Sequence, residues 1–142
     1  MFDRILVPLD GTLLAEAAVP YAELIPSRAV PLLRIDRPSG ASIKNWISIL
    51  ERVAKRHGDA TFIFGHAKPG QPITGPQKEL LYLRDYFSAA LDFTQKAIKS
   101  GQSLEQLTKT EALPGFTDHA SSGQILTLSG VLTAAHEELS GK

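Results

Sequence analysis

The chain has 142 residues, of which 43% are hydrophobic and 21% charged, the proportions of a soluble globule of one domain. Fifteen basic side chains balance fifteen acidic ones, which argues against a nucleic-acid footprint and against a polybasic membrane surface. There is no cysteine, so disulfide frameworks, thiolate metal sites, cysteine nucleophiles and iron–sulfur clusters are excluded. A chain of this length buries roughly 70% of its unfolded surface and needs no staple merely to fold.

The opening Met1-Phe2-Asp3-Arg4 leads into a short apolar run, without the basic region and long apolar stretch of a leader, and no run reaches the ~18 apolar residues of a spanning helix. A cytoplasmic protein with no nucleic-acid and no membrane partner is expected. Ile5-Leu6-Val7-Pro8-Leu9 reads as a strand buried on both faces. Asp10-Gly11-Thr12 breaks it, and a helical pattern runs from about Leu13 to Ile25, kinked by Pro20 and stopped by Pro26. Ala29 to Ile35 reads as a second strand, weakened by Pro31.

Ser42 is placed to cap a helix with apolar positions Ile43, Trp46, Ile47, Leu50, Val53 and Ala54, stopped at Gly58. Thr61-Phe62-Ile63-Phe64 predicts a third strand ending at Gly65-His66, and the glycines and prolines from Ala67 to Gly75 predict a loop. Pro76 suits the first turn of a long helix over Gln77 to Lys99. Its stripe is Leu80, Leu83, Phe87, Ala90 or Leu91, Thr94 and Ala97 or Ile98, and Gly101 ends it. Ser103 with Gln106 has the spacing of a capping box for a short helix to about Lys109. Pro114 to Gly123 is irregular, and a last helix over about Gln124 to Leu139 carries Ile125, Leu128, Leu132, Ala135 and Leu139. The fold class expected is α/β: a small, mostly parallel or mixed sheet of about three strands followed by a helix-rich C-terminal half.

Candidate chemistry is sparse. His66 directly follows a strand, where α/β folds place ligands, and its imidazole is a divalent-metal ligand; the alternative is a half-buried histidine bonded to a loop carbonyl. His57, His119 and His136 add no His-x-His, His-Glu-x-x-His or Glu-x-x-His spacing, and a zinc site needs at least three protein ligands. Asp10, at a strand end before a helix, is a weak nucleotide candidate whose simpler role is to cap that helix. The chain has no Gly-x-Gly-x-x-Gly and no phosphate-loop lysine motif, and in the Gly65, Gly70, Gly75 series Pro69 and Pro72 remove amides that a phosphate cradle would use. Asp118-His119 beside Ser121-Ser122 holds triad residue types without a Gly-x-Ser-x-Gly elbow, and no catalytic residue is assigned. Tyr82, Tyr86 and Phe93 line a flank of the long helix, expected for packing first and partner binding second; Lys96 and Lys99 suit its last turn.

Two stretches resemble different families. Phe2-Asp3-Arg4-Ile5-Leu6-Val7-Pro8-Leu9-Asp10-Gly11-Thr12 with Ala15-Glu16-Ala17-Ala18-Val19-Pro20-Tyr21-Ala22 resembles the start of the universal stress protein family, over residues 1–35 as a strand–helix–strand unit. That resemblance implies that Asp10 helps hold ATP, while the family's Gly-x-x-Gly phosphate loop is missing. Asp36 to Ile47, Phe62-Ile63-Phe64-Gly65-His66, and the tail from Pro76 through Glu105 resemble the C-terminal part of a metallo-β-lactamase-fold hydrolase. Here the resemblance covers residues 36–139, within a segment taken as 36–142, and implies an incomplete layer of that fold, with His66 as the single retained metal ligand. The family's His-x-His-x-Asp-His motif is absent.

The chain therefore reads as chimaera-like, its two parts packed as one domain, with no autonomous catalysis and no cofactor expected in isolation. Zinc enters only where a hydrolase partner chain completes the site, and adenine-nucleotide binding is the other alternative. The apolar stripes and strand edges predict self-association, through the sheet edge or the helical tail.

Overall fold

A computed structural model of the protein describes residues 40–63, 74–117 and 127–141. The expected N-terminal strands and the helix between them lie outside the described residues, as do residues 64–73 and 118–126. The described elements are α1 (Ile43–Arg56), β1 (Thr61–Ile63), β2 (Thr74–Pro76), α2 (Gln77–Lys99), α3 (Leu104–Leu107) and α4 (Leu128–Ser140). They make a mixed α/β arrangement rich in helix, with one small sheet.

α1 begins where Ser42, in extended backbone, accepts a hydrogen bond on its Oγ from the Asn45 amide at 3.1 Å. Ile43, Trp46, Ile49, Leu50 and Ala54 form its buried face, with Ile47 and Val53 half-buried at the margins. Ile49 widens the expected stripe, as the i, i+3, i+4 rule permits on a helix covered by a long partner. The helix ends at Arg56 with His57 as its C-cap, at φ −128°, so it stops at Gly58 as expected. Gly58 also leaves room for a neighbouring side chain. Gln77 Nε2 donates to the Ala54 carbonyl at 2.8 Å, closing an orphan acceptor of the last turn, and a Cβ at Gly58 would lie 3.2 Å from that nitrogen.

β1 and β2 pair antiparallel, with Thr61 opposite Pro76, Phe62 opposite Gly75 and Ile63 opposite Thr74. The described part of the sheet is this one antiparallel pair, and the other two strands expected of a mostly parallel or mixed sheet of about three lie outside the described residues. One expectation is corrected. Thr74 and Gly75, which read as the end of a loop from Ala67 to Gly75, belong to β2. Glycine is a poor intrinsic strand former, but a side-chain-free position lies well opposite a bulky Phe62 that is only 6% exposed. Pro76 then closes the strand, where the missing N–H matters least, and becomes the N-cap of α2.

α2 spans the expected residues, and packing selects among its alternatives: Ala90 and Ala97 are buried, and Leu91 and Ile98 half-buried. Leu80, Leu83, Tyr86, Phe87 and Thr94 complete the buried face. Its end is a Schellman motif: Gly101 takes φ +75°, its amide reaches the Ile98 carbonyl, and the Gln102 amide reaches that of Ala97 at 2.9 Å. The capping box of α3 forms as its spacing predicts, Gln106 N donating to Ser103 Oγ and Ser103 N to Gln106 Oε1. α4 is capped by Thr127 and buries Leu128, Val131, Leu132, Ala134 and Ala135; Ile125 lies outside the described residues.

One hydrophobic cluster joins these elements, drawing Trp46 and Leu50 from α1, Phe87 and Ala90 from α2, and Leu132 and Ala135 from α4. α2 is the central element, packed by α1 and by α4, with α3 against α4. No described helix is long and apolar enough to cross a membrane.

Candidate functional site

Two places among the described residues gather polar or aromatic side chains. The first is a clasp between the two ends of the described chain. The Glu138 carboxylate, from the last turn of α4, accepts from Ser42 Oγ at 2.8 Å, the Ile43 amide at 2.7 Å and the Lys44 amide at 3.2 Å. Those amides are among the donors that a helix start leaves without an intrahelical partner, and the positive end of the α1 dipole favours an anion there. Ser42 Oγ works in both directions, receiving the Asn45 amide while donating to Glu138. Chemically this is an anion site already filled by a carboxylate of the same chain.

The second is an aromatic cluster. Phe116 sits edge-on to Tyr82, ring centroids 5.3 Å apart, and to Tyr86, 5.6 Å apart. Tyr86 also meets Phe87 at 5.8 Å, and Phe87 meets Trp46 at 6.3 Å, so the rings run inward to the core. Burial pushes the Tyr86 phenol up to about 12, and the neighbouring Tyr82 adds to the rise. A phenol so raised holds its proton at neutral pH and is not a general base.

Phe116 lies in the stretch from Pro114 that reads as irregular. Leu113-Pro114-Gly115-Phe116 is nonetheless a turn signal, with Pro at the second position and Gly at the third. The structure makes that turn: Gly115 takes φ +84° and the Phe116 amide donates to the Leu113 carbonyl at 2.9 Å. The flank of Tyr82 and Tyr86 is thus covered from within the chain, and half-buried Phe93 packs against the core. α4 likewise lies on α2, so the apolar stripes of the two helices face each other.

Two further buried polar atoms in the core, Trp46 Nε1 and Thr94 Oγ1, each lack a hydrogen-bond partner among the described residues. They belong to residues 3% and 0% exposed, within the helical core.

His66, the single metal-ligand candidate, and Asp10, the nucleotide candidate, both lie outside the described residues, as do Asp118, His119, Ser121 and Ser122. β1 ends three residues before His66. Of the other histidines, His57 caps α1 and His136 is half-buried on α4. Among the described residues no group of three or more His, Asp or Glu is gathered to hold a metal ion. Gly75, the last member of the evenly spaced glycine series, is buried in β2. Lys96 and Lys99 are exposed in the last turn of α2, where they complement its dipole. No protein family, curated protein or solved structure matches this chain.

Proposed function

We propose that this chain has no catalysis of its own and serves as a folding or interaction module. In this reading it is a fusion of a universal-stress-protein-like start with the C-terminal region of a metallo-β-lactamase-fold hydrolase. The observation that supports it is how the described polar side chains are used. Glu138 and Ser42 close the start of α1, Gln77 its end, Ser103 and Gln106 the start of α3, and Thr127 the start of α4. Side chains engaged in this way hold helix ends and join helices to one another.

The test is metal content and turnover of the purified full chain with zinc added, on a panel of ester, thioester and lactam substrates. No retained zinc and no turnover above background are expected. A zinc ion held by each chain through dialysis overturns the reading, because one histidine cannot hold it. Calorimetry with ATP is expected to give no more than weak binding, and a micromolar affinity lost in Asp10→Ala would move the function to the N-terminal segment.

A second reading is a hydrolase half, in which His66 completes a zinc site supplied by another chain. It is favoured by β1, a strand where the resemblance requires one, ending just before Gly65-His66. Co-expression with a chain carrying His-x-His-x-Asp-His tests it. Activity lost in His66→Ala supports the half-site, and activity that survives the substitution eliminates it.

A further inference from the structure

We draw no further inference here: the strongest candidate, the anion-accepting start of α1 formed by Ser42 and the amides of Ile43 and Lys44, is a helix N-terminus already filled by the chain's own Glu138 carboxylate, and nothing else in the structure points to a ligand there.

Discussion

Glu138 and Ser42, 96 positions apart in the chain, meet at 2.8 Å, and the same carboxylate takes the Ile43 amide at 2.7 Å. This contact joins the end of α4 to the start of α1, whereas most of the attachment of α4 is apolar and directed at α2. The clasp therefore sets the position of α4 along its axis, a matter that non-directional apolar packing leaves loose.

Glu138→Ala is expected to destabilise the fold by about 1–2 kcal/mol, the range for charge-assisted hydrogen bonds discounted for partial exposure. Glu138→Gln keeps an acceptor oxygen but loses the charge, and is expected to cost less than Ala. Chemical denaturation of both variants checks the order. Equal stability of Glu138→Ala and the parent chain would remove the clasp from the account of the fold.

Tyr86 titrates late. Its pKa is raised to about 12 in the folded chain against about 10 unfolded, so between those values the folded chain keeps a proton that the unfolded chain has lost. That contribution to stability is complete below pH 10 and disappears as pH rises through the folded pKa near 12. Phenolate absorbance is expected to show a last step near pH 12 that is missing in Tyr86→Phe, and a titration unchanged by the substitution refutes it.

Thr94→Val replaces a fully buried hydroxyl that has no hydrogen-bond partner by a methyl group of the same shape. The desolvation penalty of the hydroxyl goes with it, so the variant is expected to be as stable as the parent or more stable by up to about 1 kcal/mol. Thermal melts decide, and a clear loss of stability would reveal a partner for the hydroxyl in the core.

Gly115→Ala places a side chain at φ +84°, a backbone region in which nothing crowds the new Cβ but L-residues are strained. A cost of about 1–2 kcal/mol is expected from backbone strain alone. Because the turn presents Phe116 to Tyr82 and Tyr86, near-ultraviolet circular dichroism is expected to weaken in the tyrosine band as well. A spectrum and a melting temperature that match the parent chain contradict the role given to the turn.

With the α2 and α4 stripes facing each other within the chain, the self-association proposed for an interaction module is left to the sheet edge, and light scattering at micromolar concentration measures it. A dimer or a larger species is expected, and a clean single-chain mass rejects it.

The local structure of the described region was legible in the sequence wherever a short-range rule applies. Ser42 and the Ser103–Gln106 pair mark helix starts because their side chains reach amides two or three residues away, and Gly101 ends α2 because the left-handed conformation there favours glycine. The spacing of Leu80, Leu83, Phe87 and Thr94 gave the buried face of α2, since that face is set by 3.6 residues per turn. His66 and Asp10, by contrast, stood out by type and position only, and a metal or nucleotide site requires partners whose convergence no local spacing expresses. The same limit explains what tertiary structure alone decided. The pairing of Phe62 with Gly75, the covering of Tyr82 and Tyr86 by Phe116, and the capping of α1 by Glu138 each bring together residues from separate elements. Gly75 reads as loop from its own preferences and becomes strand because β1 supplies hydrogen bonds and a bulky neighbour. Glu138 carries no local capping signal in the sequence, and becomes a cap because α4 packs on α2 beside the α1 amides that lack an intrahelical partner.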